Sequence, residues 1–317
     1  MSFASDTKDE LCSLKITDTH SLRAEYYGLL LFCKCFSYRD ITLHTENKSI
    51  AKHFTDIVTE FHPVIIDIIT SKSKRGNGNM YTLTIPDGND RKFILDNLGY
   101  SEANVSLRIN RANFEDEDCI AAFLRGAFLA CGAVTNPRSC YHLEFAVSHM
   151  NLAYDLSRLI SEITALNLEP KITTRRGSYI VYVKGSEHIA DLLTYMGAFI
   201  ASMQLMQEKI VKDVRNNANR KANSDFYNMN KSVTASAKQR RAIMLIDKKI
   251  GIDKLSPDLS QLAKLRLENP DMSLKMLAET ITPPLSRSGV NHRMTRLMEL
   301  ADSLKLKEET QLKPNDK

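Results

Sequence analysis

No apolar run in the 317 residues approaches the roughly 20 that a membrane-spanning helix needs. The opening stretch, MSFASDTKDELCSL, is acidic and polar and lacks the apolar core of a secretory signal. Six cysteines (Cys12, Cys33, Cys35, Cys119, Cys131, Cys140) form no Cys-x-x-Cys pair and no zinc-ligand spacing. Reduced, mostly buried thiols in the cytoplasm are therefore expected. Charge of one sign is not in large excess either, the net being +5. That figure divides unevenly. Residues 201–317 hold 22 Lys and Arg against 14 Asp and Glu, a net of +8, while residues 1–200 net −3. Such asymmetry favours a polyanion-binding module at the C-terminal end, with a solvated basic helical surface as the plain alternative.

Within residues 1–200 the periodicity writes one α+β unit twice, as repeats at about 20–100 and 117–198. The first repeat predicts a helix over 23–36, a strand over 40–45 and a helix over 49–61. Strands over 63–70 and 80–86 follow, joined by the turn-rich KSKRGNGN at 72–79, and a short helix over 90–98 closes it. The second predicts a helix over 118–131, a strand over 141–148 and a helix over 151–165. Its strands over 171–176 and 178–184 meet at Gly177, before a helix over 186–195. The fold class expected is α+β, a pseudo-symmetric two-repeat domain with antiparallel sheets, followed by an all-α region. From 201 to 252 the chain reads as a helical linker. It is interrupted by the polar RNNANRKANSDFYNMNK at 215–231 and stopped at Gly251. Residues 253–304 read as a three-helix unit and 305–317 as a charged, unstructured tail.

That three-helix unit has the form of a helix-turn-helix. Its first helix, DLSQLAKLRLEN, starts behind Pro257 and stops before Pro270, and Ser273 is a candidate cap for the second. Ser286 is a candidate cap for the last, SRSGVNHRMTRLMELADSL. Val290, Met294, Leu297 and Ala301 recur at helical spacing and would pack inward. The opposite face carries Arg287, Ser288, Asn291, His292 and Thr295, with Arg293 and Arg296 beside them. Arginine can bond guanine edges and asparagine adenine edges, and a helix N-terminus favours phosphate. Two short helices joined by a turn also occur in proteins that bind no DNA.

The stretch FLRGAFLACG at 123–132 resembles the signature helix of LAGLIDADG homing endonucleases, matching at Leu124, Gly126, Ala130 and Gly132. Gly126 and Ala130, four apart, would let two such helices pack closely. The first-repeat helix matches less well, with Lys34 where the closing glycine would fall. The resemblance implies that the eighth motif position holds the catalytic divalent metal. Those positions are Cys131 and Cys33, and a thiol suits a hard cation poorly. Glu25 and Glu144 lie nearby and read equally as salt-bridge or strand-face residues.

Along nearly its whole length the chain resembles the WhiA family of bacterial sporulation and cell-division regulators. The resemblance rests on MSFASDTKDEL, FLRGAFLACGAVTNP, YHLEF, RNNANRKAN and SRSGVNHRMTRL. It implies a sequence-specific transcription regulator with a catalytically inactive endonuclease-like domain, not an enzyme, with no cofactor and no metal. Double-stranded promoter DNA is the implied partner, with RNA polymerase or another regulator beside it and no membrane. The implied location is the cytoplasm, at the nucleoid. Carried across by motif, Ser286, Arg287, Ser288, Asn291, His292, Arg293 and Arg296 are the expected DNA contacts. Arg287 and Asn291 would read bases, Ser286, Ser288 and Arg293 would hold phosphates, and His292 stays open between reading a base and being a helix-surface imidazole. Arg215, Asn216, Asn219, Arg220 and Asn223 would contact the DNA backbone or brace the domains. In the first repeat Tyr26, Tyr27, Lys34 and Cys35 replace smaller, more regular residues, which leaves open how tightly the signature helices pack. An interaction scaffold acting on cell division through its N-terminal domain, and an active homing-type nuclease, are the competing readings.

Overall fold

The computed structural model describes residues 2–73, 78–103 and 106–311. The chain forms two compact units, Met1–Asp213 and Val214–Lys317. The first opens with a helix that the periodicity did not reveal, α1 (Phe3–Cys12), capped by the Ser2 hydroxyl accepting from Ser5 N. Its buried Phe3, Thr7 and Leu11 stand four apart on one face.

The first repeat then runs α2 (Thr19–Leu31), β1 (Cys35–Phe36), β2 (Ile41–Thr45), α3 (Lys48–Phe61), β3 (Asp67–Lys72), β4 (Asn79–Thr84) and α4 (Gly88–Asn97). The second is α5 (Glu117–Cys131), β5 (Gly132–Val134), β6 (His142–Val147), α6 (Met150–Glu162), β7 (Lys171–Arg175), β8 (Ser178–Lys184) and α7 (Ser186–Met196). Each repeat folds into a four-stranded antiparallel sheet of the same order, β1-β2-β4-β3 and β5-β6-β8-β7. Rows such as Leu43–Leu83 and Phe145–Val181 pair across the central strands and bury one face of each sheet. Strand β3 begins at Asp67, not at Pro63, because its partner β4 ends at Thr84 opposite Asp67 and leaves 63–66 nothing to pair with. Of the turn expected at 72–79, Lys72 and Asn79 are the paired ends of β3 and β4, and residues 74–77 lie outside the described residues.

The signature helices α2 and α5 pack tightly, which answers the question the bulkier first-repeat residues left open. A Cβ on Gly126 would meet the Glu25 carbonyl oxygen at 2.2 Å, and one on Gly28 would meet the Phe123 carbonyl oxygen at 2.2 Å. Each glycine thus lets the other helix's backbone approach, and Gly28 of α2 joins Gly126 of α5 in setting the crossing. Tyr26 and Tyr27 are buried beside the crossing and do not prop it open. The Tyr27 hydroxyl lies 2.6 Å from that of Tyr100 and accepts from Asn110 N at 2.7 Å, pinning the connection between the repeats.

Helix α8 (Phe199–Lys249) spans 51 residues without interruption. The break expected at 215–231 does not occur. Neither Gly nor Pro stands between 199 and 249, and asparagine costs a helix only about 0.7 kcal/mol relative to alanine. The stop comes where expected, at Gly251 with φ +89°. In the second unit α9 (Pro257–Glu268), α10 (Leu274–Thr280) and α11 (Arg287–Gln311) enclose a core of Ile243, Ile246, Leu262, Leu277, Val290, Met294 and Leu297. Helix α11 runs on through Gln311, into the tail expected to be unstructured; residues 312–317 lie outside the described residues.

Candidate nucleic-acid interface

Serine caps set the two helices of the C-terminal motif. Ser273 Oγ accepts from Met276 N at 3.3 Å to start α10, and Ser286 Oγ accepts from Gly289 N at 3.1 Å to start α11. Between them Leu285 N donates to Ala278 O at 3.0 Å, and the Gln261 amide donates to Thr282 O at 3.3 Å. Buried Arg266 closes the α9–α10 turn by donating to Met272 O at 2.6 Å, and desolvation there lowers its pKa. The turns are thereby held by one backbone bond and by side-chain donors on backbone carbonyls, which leaves α11 fixed against α9 and α10.

With Val290, Met294, Leu297 and Ala301 buried, the first turns of α11 face outward with Ser286, Arg287, Ser288, Asn291, His292, Thr295 and Arg296 exposed. Arg293 is half-buried and differs from the rest: its guanidinium lies 3.2 Å from the Asp258 carboxylate at the start of α9. Ser286 spends its oxygen on the cap but keeps its O–H free to donate. The linker set Arg215, Asn216, Asn219, Arg220 and Asn223 is exposed throughout on α8. It sits on continuous helix and not on a solvated turn.

The N-terminal motif presents a different chemistry. Cys33 is buried and donates to Cys35 O at 2.7 Å, and burial pushes its thiol pKa well up. Burial likewise pushes Cys131 up to about 12. Its neighbour is Lys8 of α1, whose ammonium donates to Leu129 O at 3.2 Å at the end of α5; burial lowers Lys8 to about 8. Neutral thiols beside an amine do not suit a divalent metal that wants carboxylate oxygens. Among the described residues, no three His, Cys, Asp or Glu side chains gather to hold a metal ion.

The two nearby carboxylates are salt-bridge residues. Buried Glu25 accepts from Arg125 Nε at 2.8 Å and lies 2.7 Å from His53 Nε2, joining the two repeats through α2, α5 and α3. Burial raises the Glu144 carboxyl, but Arg175 and His142 outweigh it and hold it below its ordinary value. Sequence reasoning missed Lys8, Arg125 and His53, since none of them carries a spacing signal. Arg125 stands at the second motif position, where its role depends on a glutamate 100 residues away.

Comparison with known proteins matches residues 120–215 to the description "WhiA LAGLIDADG-like domain" and residues 218–301 to "WhiA C-terminal HTH domain". The probable cell division protein WhiA of Clostridium botulinum (strain Hall) is 34% identical over 318 residues, covering 96% of this chain and 99% of its own. That of Thermoanaerobacter pseudethanolicus is 33% identical over 316 residues, covering 96% and 98%. The crystal structure of full-length WhiA from Thermatoga maritima aligns with a TM-score of 0.57 at 20% identity, over 96% of this chain and 99% of that one, and shows the shared fold.

Proposed function

Because the chain belongs to the WhiA family, we propose that it is a sequence-specific DNA-binding regulator of bacterial cell-division and sporulation genes. The observation that carries this reading is α11, which buries one face and exposes Arg287, Ser288, Asn291, His292 and Arg296 at its first turns. Arg287 and Asn291 read base edges in the major groove, while Ser286, Ser288 and Arg293 hold phosphates and Arg296 follows the backbone. Arg293 exchanges Asp258 for phosphate on binding, a small cost, since a pair whose carboxylate stands in solvent is worth about 0–1 kcal/mol. His292 serves either a base or the helix surface. On α8, Arg215, Asn216, Asn219, Arg220 and Asn223 contact the backbone or brace the domains.

Residues 1–200 act as a degenerate endonuclease-like domain, 201–252 as the linker and 253–304 as the reading head. Cleavage is not part of the function: the eighth motif positions are buried neutral thiols and both nearby carboxylates are engaged by cations. The name carried by the relatives, probable cell division protein, supports the biological role. Promoter DNA is the primary partner, with RNA polymerase or a second regulator as the candidate protein partner, and the nucleoid in the cytoplasm is the place of action.

Selection from a random duplex pool by the full chain with Mg²⁺ present tests both halves. Enrichment of one short motif in intact DNA is the expected result. Strand breaks at a long enriched sequence would overturn the non-enzymatic reading, and intact DNA without enrichment would overturn the reader.

A further inference from the structure

Charge along α8 is divided sharply. Residues 199–213 hold two Lys against one Glu and one Asp, whereas 214–249, which lie within the second unit, hold nine Lys and Arg against two Asp. Placed at 100° per residue, Arg220, Tyr227, Lys231, Lys238, Arg241 and Lys248 fall within about 100° of the helix circumference. Asn216, Asn223, Asn230 and Thr234 share that arc, while Asp225 and Asp247 both lie about 100° or more outside it.

Packing decides which way the arc turns. Gln239, Ile243 and Ile246 are buried on the other side of the helix, the two isoleucines in the core of the second unit. The five cations of the arc are exposed, and among the described residues no carboxylate pairs with any of them. Lys238 and Arg241, three apart, repel each other by about 0.2–0.5 kcal/mol, a cost that a polyanion would reverse.

The chemistry of the arc indicates which polyanion. Interfaces between proteins centre on aromatic and aliphatic anchors. Here Tyr227 is the one exposed large apolar side chain, since Leu245 packs against the unit's own core. Guanidinium, ammonium, amide and hydroxyl groups, all hydrogen-bond donors, are the side chains that hold phosphate oxygens. At 1.5 Å per residue, Lys231 to Lys248 extend over about 25 Å, alongside roughly seven base pairs at about 3.4 Å each.

We propose that this arc is a backbone clamp, which holds duplex phosphates without reading sequence; it rests on the DNA-reading assignment and deepens it. Because the arc also carries Asn216, Arg220 and Asn223, it selects backbone contact from the two roles open to those linker residues. Fluorescence anisotropy of the full chain on a selected and a scrambled duplex, over a range of salt concentrations, tests it. At about 0.9 units per neutralised phosphate, Lys231→Gln/Lys238→Gln/Arg241→Gln/Lys248→Gln should lower the log–log salt slope by roughly three to four units. The fall should be the same on both duplexes, with the ratio of their affinities unchanged. Lys231→Arg/Lys238→Arg/Lys248→Arg keeps the charge and should keep the slope. Removing four exposed cations from the first unit instead, as Arg39→Gln/Lys48→Gln/Lys52→Gln/Lys92→Gln, should move the slope by less than about one unit. Far-UV circular dichroism should match the wild type throughout, since lysine, arginine and glutamine have similar helix propensities. An unmoved slope with sequence preference retained would overturn the clamp alone and leave the arc to an acidic protein. An equal fall in the first-unit variant would also overturn it, the effect then being one of net charge. A wild type that binds neither duplex would overturn the clamp and the DNA reading together.

Discussion

Replacing Gly126 by alanine puts a Cβ 2.2 Å from Glu25 O and 2.7 Å from Leu29 N, both backbone atoms of α2. No rotamer can relieve such a clash, so α2 and α5 must separate by about 1 Å to restore ordinary contact distances. The same movement strains the Arg125–Glu25 pair at 2.8 Å and opens the Gly28 contact on the other side of the crossing. Overpacking of this kind costs about 1–3 kcal/mol, alanine returns about 1 kcal/mol of helix propensity, and the buried pair, strained but not broken, adds about 2 kcal/mol to the loss. The expected net destabilisation is about 2–4 kcal/mol, or roughly 5–15 °C in the melting of the first unit. Near-UV circular dichroism isolates that unit, because Tyr26, Tyr27 and Tyr100 are buried in it and the second unit's Tyr227 is exposed. Gly289→Ala is the matched control. The nearest atom to its Cβ is Ser286 Oγ at 3.5 Å, and the second unit should gain about 0.5–1 kcal/mol from it. A Gly126→Ala protein that melts like the wild type would refute the close crossing.

Three further expectations follow from side-chain environments. Burial lowers Lys8 from 10.5 to about 8, so between those values the unfolded chain binds the extra proton and wild-type stability gains as pH rises. The penalty is fully present below pH 8, and the stability difference between Lys8→Met and wild type should therefore change across that window; a pH-independent difference in urea titrations would count against a buried ammonium. Asp258→Ala releases Arg293 and should tighten binding to all duplexes alike, whereas Arg293→Ala should lower the log–log salt slope by about one unit; fluorescence anisotropy at several salt concentrations separates the two. Glu25→Gln alone should cost about 3–5 kcal/mol by stranding Arg125, while adding Arg125→Met should recover most of it. Strictly additive losses in denaturant unfolding would mean that the buried pair is not a coupled unit.

The repeat architecture was legible in the sequence because both repeats use the same order of helix, strand and hairpin, and strongly periodic segments such as 171–184 announce themselves. The short strands β1 and β5 were not legible, since two or three residues cannot display alternation. The unbroken α8 was misread for a physical reason: six asparagines resemble a turn, yet nothing between 199 and 249 forbids helix. Likewise Tyr26, Tyr27, Lys34 and Cys35 left the tightness of the crossing open in the sequence, whereas Gly28 decides the approach of the helices and the tyrosines fill the core beside it. The exposed and buried faces of α11 were legible from spacing alone. The Asp258–Arg293 pair and the Glu25–Arg125–His53 network were not, because they are set by tertiary contacts between residues far apart in sequence.

The central claim is that α11 reads DNA through Arg287 and Asn291, and the affinity of the full chain for its selected duplex, against a scrambled duplex of equal length, tests it most directly. Wild type should prefer the selected duplex, and Asn291→Ala should lose about 1–3 kcal/mol on it and relax preference at one base pair, with scrambled binding unchanged. An Arg287→Ala/Asn291→Ala chain that keeps the wild-type preference would contradict the account.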